Sequence, residues 1–344
     1  MKPLLARVTA VALALVILAV GLAACGSKSS DAKGEAEKLT LDLDFYPNPD
    51  HAGIYMAQEE GFFEDAGLEV AINSPSDPSA PLKDVASGRA DLAITYEPEL
   101  MLAREEGLDV VAVSALVNQP LTSLMWLKEP GSKTAVKGVA DLKGKTVSYA
   151  GIPYQQAFMR TILNRASVPI SSVKLVNVGF GLIPSLVSGS AQAMLGGYSN
   201  VEGVDLQQRG KEPVITPVDQ LGVPTYDELV IVARRSALEE EGDRIRLFVN
   251  SLRRGTEAAA ANPKAATEAI LAANNNLEPK LVEAEVKATL PLLSARVPGQ
   301  PYGWMNPEEW EAFAGWMRDE GLIEGQPKAA EMLSNAYLVD EIPE

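Results

Sequence analysis

The sequence has little of the chemistry that usually builds redox, metal or nucleic-acid sites. Its 344 residues include one cysteine, Cys25, and one histidine, His51. This excludes an intramolecular disulfide and a zinc cluster of several cysteines and histidines. Basic residues number 30 against 46 acidic ones, a formal charge of −16 that would repel a phosphate backbone. We expect no metal, no cofactor and no nucleic-acid partner.

Long apolar segments are also scarce, and the one present, residues 8–24, stands near the N-terminus. It follows two basic residues and ends in Leu22-Ala-Ala-Cys25-Gly26, a pattern typical of a cleaved export signal. The pattern resembles a bacterial lipobox, whose cysteine takes a diacylglycerol. We predict a lipoprotein signal peptide over residues 1–24, with lipid attached at Cys25. The alternative is a single membrane anchor, for which 17 residues are at the short limit. Both place the rest of the chain outside the cytoplasmic membrane.

The remainder of the chain predicts an α/β fold. Residues 26–38 contain no large apolar side chain, so residues 25–38 are expected to form a flexible tether. Strands and helices then alternate with short links, which favours mostly parallel sheets with helices on both faces. Strands are expected at 39–45, 68–72, 91–95, 110–116, 146–149, 174–178, 191–195 and 229–233. Asp50 is expected to cap a helix over roughly residues 51–60.

The pattern restarts halfway along the body. Ser87-Gly-Arg-Ala90 and Ser188-Gly-Ser-Ala191 each separate a predicted helix from a buried strand. This likeness predicts two similar lobes joined by a hinge, with a ligand cleft between them. Lobe 1 is expected to comprise residues 39–119 plus 227–344, and lobe 2 residues 120–226. Extra C-terminal helices are expected at 238–261, 263–274, 278–289 and 307–320.

Candidate binding residues are those that follow the predicted strands, because ligands of open α/β sheets bind beyond the carboxyl ends of the strands. The set is rich in tyrosines and amides, contains acids and lacks Arg and Lys. It suits a flat, polar, neutral or weakly cationic ring. Structural roles remain open: a helix cap for the histidine, a surface position for an acid, core positions for tyrosines. The candidates are Tyr46, Asn48, His51, Ser76, Tyr96, Glu97, Tyr154, Tyr198, Asn200 and Glu202.

Catalytic motifs are missing from the sequence. It has no Gly-x-Ser-x-Gly elbow and no Walker loop, and a serine triad would have to use His51. We therefore predict that the protein is not an enzyme, although two carboxylates could still perform acid–base chemistry.

Four stretches together resemble the NMT1/THI5-like proteins, over roughly residues 40–260. The resemblance implies a type II periplasmic-binding fold and a solute-binding component of an ABC importer. The most similar subgroup is the ThiY-like binders of thiamin-precursor pyrimidines, such as formylaminopyrimidine or hydroxymethylpyrimidine. The stretches are Leu43–Gln58, Glu60–Leu68, Pro75–Leu82 and Gly88–Glu99.

The resemblance also implies roles for residues. Glu202 would bind the edge of the pyrimidine ring, and Asn48 and His51 its substituents. In the stretch Tyr198–Glu202, Ser199 stands where the family carries tryptophan, which bears on the choice of pyrimidine. The ring faces would pack on Tyr96, Tyr154 and Tyr198.

The fungal members of the family are pyrimidine synthases that consume a bound pyridoxal phosphate and their own histidine. His51 matches the neighbourhood of that histidine. The nearest upstream lysine is Lys38, before the first strand, and the cysteine-rich iron motif is absent. Together with the export signal, these differences count against a synthase.

The sequence therefore predicts a lipid-anchored, monomeric solute-binding protein that delivers a thiamin-precursor pyrimidine to an ABC permease. One alternative is a binder of riboflavin, another small heterocycle or a sulfonate. A second is an exported enzyme acting on a heterocycle. A third is a sensor or adhesion lipoprotein without a permease.

Overall fold

The computed structural model describes residues 36–75, 80–128, 135–294 and 296–338. The predicted signal peptide, the predicted lipid site Cys25 and Ser76 lie outside the described residues. The tether was predicted to extend to residue 38, but a strand already begins at Glu37. Leu39 and Leu41 of that strand are buried, and the two polar residues before them, Glu37 and Lys38, belong to the same strand.

The strands occur close to their predicted positions, with two that were not predicted. The eight predicted strands begin and end within three residues of the observed bounds. The unpredicted strands are the fifth and the ninth. The strands are β1 (Glu37–Asp42), β2 (Leu68–Asn73), β3 (Leu92–Thr95), β4 (Val110–Val117), β5 (Thr122–Leu127), β6 (Thr146–Tyr149), β7 (Lys174–Asn177), β8 (Ala193–Tyr198), β9 (Pro213–Pro217) and β10 (Leu229–Arg234).

Helices connect these strands, and several more follow the last strand. Those between strands are α1 (Ala52–Glu59), α2 (Phe62–Asp65), α3 (Ala80–Ser87), α4 (Glu97–Glu105), α5 (Gln155–Arg165), α6 (Leu182–Val187) and α7 (Glu202–Gln208). Those after β10 are α8 (Arg235–Glu240), α9 (Gly242–Ala261), α10 (Pro263–Ala273), α11 (Pro279–Thr289), α12 (Pro307–Asp319) and α13 (Ala329–Met332). Among the described residues, no helix combines the length and apolarity that crossing a bilayer requires.

The strands form two sheets with matching strand orders, β2-β1-β3-β10-β4 and β7-β6-β8-β5-β9. Four strands of each sheet run in the same direction, whereas β10 and β5 run antiparallel to both of their neighbours. The sheets are therefore mostly parallel, as predicted, with one antiparallel strand in each. Both antiparallel strands stand where the chain has just passed from one sheet to the other.

The repeated Ser-Gly-x-Ala motif occupies the same place in both sheets. Gly88 follows α3 and leads into β3, and Gly189 follows α6 and leads into β8. Both glycines have φ of +76°, a left-handed conformation that ends a helix at little cost only without a Cβ atom. The sequence likeness thus reflects equivalent turns in two similar units.

Two glycines allow α1 and α9 to pack closely. A Cβ atom on Gly255 of α9 would collide with the carbonyl oxygen of Gly53 in α1, and one on Gly53 would collide with Thr256. This contact fixes α1 against the C-terminal helices. It also fixes the 3-10 turn Pro49–His51 that leads into α1 and reaches the cleft described below.

Glu228 ties together the two segments that pass between the sheets. It is fully buried and accepts hydrogen bonds from the backbone N–H of Leu121 (2.7 Å) and Thr122 (2.8 Å). The hydroxyls of Thr122 and Tyr226 also donate to it, each at 2.9 Å. Burial raises the pKa of Glu228, and these four donors oppose the rise. The carboxylate is thus satisfied on all sides by the protein itself.

Candidate functional site

A cleft of about 120 Å³ lies between the two sheets, where β1 and β3 of one sheet and β6 and β8 of the other end. Side chains from both sheets and from the turns that follow them form its walls. It is lined by Asp44, Phe45, Asn48, Asp50, Tyr96, Thr122, Ala150, Ile152, Tyr154, Gln155, Gly179, Phe180, Leu182, Gly196, Tyr198, Val201 and Glu202.

Asp44 is the centre of a buried hydrogen-bond network on the first wall. Its Oδ2 accepts from the hydroxyl of Tyr96 at 3.1 Å, and its Oδ1 lies 2.9 Å from Nε2 of His51. The other ring nitrogen of His51, Nδ1, accepts from the backbone N–H of Asn48 at 3.3 Å. The ring must therefore carry a proton on Nε2 and donate it to Asp44. His51 acts here by orienting an acid that faces the cleft.

Asn48, and not Asp50 as the sequence predicted, caps the turn that leads into α1. The side chain of Asn48 accepts from the backbone N–H of Asp50 at 2.8 Å. The carboxylate of Asp50 is therefore not needed to cap the turn. Its Oδ1 accepts a hydrogen bond from Nδ2 of Asn200 at 2.7 Å. The same nitrogen of Asn200 lies 2.7 Å from the hydroxyl of Thr289. Asn200 thus links the cleft acid Asp50 to the end of α11.

Glu202 lies on the opposite wall, at the first position of α7. Its Oε2 accepts from the backbone N–H of Tyr198 at 2.7 Å, which holds the side chain beside the cleft. Burial raises the pKa of Glu202, and backbone hydrogen bonds oppose that rise. The pocket therefore carries a positioned carboxylate on each side.

Aromatic rings line the cleft and narrow its mouth. Tyr96 and Tyr154, from different sheets, have ring centroids 6.4 Å apart and planes tilted by 60°. At the mouth, Phe45 and Phe180 meet edge-to-face with centroids 4.8 Å apart. Phe180 is 58% exposed although it is a large apolar side chain. A flat ring that enters the cleft would find aromatic surface on both sides.

The charged residues that line the cleft are acidic. Asp44, Asp50 and Glu202 line it, and no Lys or Arg is among the described lining residues. Behind them, burial and the charges of Glu202, Asp205 and Asp50 raise the pKa of Glu285 to about 8. Such a cleft favours ligands that donate hydrogen bonds or carry positive charge, and it disfavours anions.

Eight of the ten predicted site residues fall into three groups. Lining the cleft are Asn48, Tyr96, Tyr154, Tyr198 and Glu202. Just behind the lining, His51 and Asn200 are buried and bonded to cleft acids. Tyr46 is 51% exposed and packs beside Phe45 and Phe180 outside the lining.

Glu97 has a different environment from the one expected. It accepts from the backbone N–H of Asp227 at 2.7 Å, next to the segment that returns from the second sheet. Asp227 in turn accepts from the indole N–H of Trp310 at 2.7 Å. Burial and the charge of Asp227 raise the pKa of Glu97 well above its ordinary value. Glu97 directly follows Tyr96, and the start of α4 turns its side chain away from the cleft.

Asp44, Asp50 and Phe180 line the cleft but were not selected as binding residues from the sequence. Asp44 follows the observed β1, but the strand was predicted to extend to residue 45, so the rule passed over Asp44 and selected Tyr46 and Asn48. Asp50 follows the same strand but was interpreted as a helix cap. Phe180 is apolar and lies in a Gly-Phe-Gly pattern that is too short to indicate a binding site.

Metal and cofactor chemistry finds little support in this cleft. Among the described residues there is no group of three or more His, Cys, Asp or Glu arranged to hold a metal ion. The described lining also has no lysine that could form an imine with pyridoxal phosphate. The residues present do not fit that cofactor.

Comparison with known proteins gives a family match and curated relatives. The family model described as NMT1/THI5 like matches residues 48–266. The chain is 34% identical to the formylaminopyrimidine-binding protein of Halalkalibacterium halodurans, over 93% of this chain and 96% of that protein. It is 36% identical to a putative thiamine biosynthesis protein of Haemophilus influenzae, over 88% and 93%. A 4-amino-5-hydroxymethyl-2-methylpyrimidine phosphate synthase of Aspergillus parasiticus is 26% identical, over 67% and 69%.

Solved structures confirm the predicted two-lobed α/β fold. The periplasmic aliphatic sulphonate binding protein of Escherichia coli matches with a TM-score of 0.67 at 14% identity, covering 90% of this chain and 97% of that one. The alkanesulfonate-binding protein of Xanthomonas axonopodis pv. citri matches with a TM-score of 0.66 at 14% identity, covering 88% and 99%. At this identity the likeness shows the fold alone.

Proposed function

Because this chain belongs to the NMT1/THI5-like family, we propose that it is the solute-binding component of an ABC importer for a thiamin-precursor pyrimidine. Formylaminopyrimidine and hydroxymethylpyrimidine are the proposed ligands. The observation that carries the proposal is the cleft itself, in which acids from both sheets face a space lined by aromatic rings without Lys or Arg. An aminopyrimidine is flat, presents N–H donors at its edge and packs well on aromatic side chains.

Each wall of the cleft has a role in this proposal. Glu202 accepts a hydrogen bond from the amino edge of the ring. The backbone N–H of Tyr198 holds the Glu202 side chain in position for this role. Tyr96, Tyr154 and Tyr198 pack against the ring, and Asn48 bonds a substituent. His51 is buried and bonded to Asp44, so we assign it to positioning that acid and not to ligand contact.

We propose binding without turnover. The relatives at 34% and 36% identity are more similar in sequence to this chain than relatives named as synthases, at 26% and 24%. The absence of a lysine from the described lining also supports a binding role, because a pyridoxal phosphate enzyme needs one.

A sulfonate ligand is the alternative raised by the structural neighbours, but the cleft opposes it. Sulfonates are anions that bind Arg, Lys or free helix N-termini. Here the first residue of α7 is itself an acid, Glu202, and Asp50 and Asp44 add to the negative charge. The chemistry of the lining therefore favours a donor-rich heterocycle.

Export, lipid attachment at Cys25 and delivery to a permease complete the proposal. Residues 39–119 with 227–344 would form one lobe and residues 120–226 the other, and ligand contacts made only between closed lobes would favour the closed state. The closed form would then dock on the permease. Cys25→Ser should abolish labelling by a fatty-acid precursor, and normal labelling of this variant would place the anchor elsewhere.

Calorimetric titration of the full-length protein tests the ligand. We expect saturable binding of formylaminopyrimidine or hydroxymethylpyrimidine, and none of an alkanesulfonate or riboflavin at the same concentrations. Asp205→Asn is a matched control, because Asp205 pairs with Arg209 at 2.6 Å and does not line the cleft. Binding of the sulfonate with no binding of either pyrimidine would overturn the proposal.

A further inference from the structure

Asp50 lies in the cleft wall with one oxygen unpartnered. The residue is 1% exposed, yet it borders the cleft, and its Oδ1 is already bonded to Asn200. Within the described part of the chain, no group donates to its Oδ2. An ionised oxygen in such a place costs free energy unless a proton or a ligand supplies the missing bond. The vacant position on Oδ2 therefore indicates a bonding partner that the protein does not provide.

The groups around Asp50 do not supply that partner. Asp44 and Glu202 are acids, and the charge of Asp50 also acts on the acid Glu285 of α11. His51 is the one basic residue among the described groups that act on Asp50, and both of its ring nitrogens are engaged elsewhere. Burial raises the pKa of Asp50 to about 7, and the charges of Asp44 and Glu202 add to the rise, whereas the hydrogen bond from Asn200 opposes it.

The proposed ligand needs a hydrogen-bond donor for one of its ring nitrogens; this step rests on the proposed function. A pyrimidine has two ring nitrogens that accept hydrogen bonds, besides the amino group that donates. If Glu202 takes the amino edge, a ring nitrogen on another edge requires a donor. A carboxyl group that retains its proton near neutral pH supplies one.

We propose that Asp50 is a second specificity-determining residue, whose carboxyl proton is held between Oδ2 and a ring nitrogen of the bound heterocycle. The proton can sit on either atom, and the complex contains one proton in both cases. The cleft thus selects heterocycles that have an accepting nitrogen opposite Asp50 and donors opposite Glu202.

Because the complex holds this shared proton, the affinity for the ligand should fall as the pH rises. Free Asp50 loses its proton as the pH rises through about 7, whereas the complex retains it to higher pH. Binding must then take up a proton, so affinity should fall with rising pH and approach a tenfold fall for each pH unit well above 7. For 4-amino-5-hydroxymethyl-2-methylpyrimidine, we expect the Kd of the full-length protein to rise by about 50-fold between pH 7 and pH 9.

Asp50→Asn is the informative variant. Its amide oxygen can still accept from Asn200, and its amide nitrogen donates to the ring without titrating. We expect the ratio of Kd at pH 9 to Kd at pH 7 to fall from about 50 to about 1. Asp50→Ala, which has no donor, should bind weakly at both pH values. Asp205→Asn removes the same charge outside the lining and should keep the steep ratio.

Two results would overturn the inference. The first is a Kd of the unaltered protein that is equal at pH 7 and pH 9. The second is the same steep ratio in Asp50→Asn; a flat ratio in Glu285→Gln would then place the proton on Glu285. Both include pyrimidine binding at pH 7, so they leave the proposed function intact. No binding at any pH would instead contradict that function.

Discussion

Glu228 and Asp50 are both buried acids, and they differ in how the protein satisfies them. Glu228 joins the two segments that connect the sheets and accepts four hydrogen bonds from its own chain. Asp50 borders the cleft and accepts one from Asn200, and its other oxygen has no partner among the described residues. Glu228 therefore stabilises the fold, whereas Asp50 is available to a ligand.

The largest effect is expected at Glu228, since its removal leaves several buried donors without an acceptor. We expect Glu228→Ala to lower the free energy of unfolding by about 3–5 kcal/mol. For a chain of this size the melting temperature should fall by several degrees. Thermal unfolding followed by circular dichroism measures this, with Glu228→Gln as a milder variant. An unaltered melting temperature in both would remove Glu228 from its structural role.

Asp50 should show the opposite effect on stability. Its pKa in the folded protein is about 7, above its ordinary value of 3.8, so its contribution to folding stability is present at low pH and lost as the pH rises from about 4 to about 7. Asp50→Asn should therefore raise the free energy of unfolding, by about 2–4 kcal/mol at pH 8 and by less at pH 5. Denaturant unfolding at both pH values measures it. A destabilised variant at pH 8 would show that the ionised acid is satisfied after all.

Glu202, on the opposite wall of the cleft, should affect ligand binding and not folding stability. Glu202→Gln keeps the shape but loses the charge that accepts from the amino edge of the ring. We expect pyrimidine binding to weaken by about 1–3 kcal/mol with little change in melting temperature. Calorimetry on this variant and on the Asp205→Asn control separates a local loss from a general effect of charge. An unaltered Kd would exclude Glu202 from ligand contact.

The smallest effect is expected at the mouth of the cleft. Phe180→Ala removes the edge-to-face contact with Phe45, 4.8 Å between centroids, and should weaken binding by about 0.5–1.5 kcal/mol. Because Phe180 is exposed, folding stability should hardly change. Tighter binding by this variant would indicate that Phe180 obstructs the cleft.

Much of the fold could be predicted from local sequence patterns. Short apolar segments located eight strands, and the Ser-Gly-x-Ala motif identified equivalent turns in both sheets. The strand Pro213–Pro217 escaped notice because it has proline at both ends, which an edge strand tolerates. The antiparallel placement of β10 depends on contacts more than 100 residues apart in sequence, such as Val230 with Ala115, and no local pattern encodes it.

The cleft was harder to predict, because placement after a strand does not say where a side chain points. Adjacent Tyr96 and Glu97 illustrate this, since one lines the cleft and the other turns toward Asp227. Asp50 was interpreted as a cap because acids are common at helix starts, but Asn48 already filled that role. Which of two nearby polar side chains caps a turn is settled by backbone geometry.

In the proposed complex, acids in the cleft bind the donor and acceptor edges of an aminopyrimidine. The most direct test is a calorimetric titration of the full-length protein at pH 7 with 4-amino-5-hydroxymethyl-2-methylpyrimidine and with the analogue whose amino group is replaced by a carbonyl oxygen. We expect the amino compound to bind about 100-fold tighter or more, because the carbonyl oxygen would face the carboxylate of Glu202 without a donor. Equal affinity for the two compounds would contradict the proposed complex.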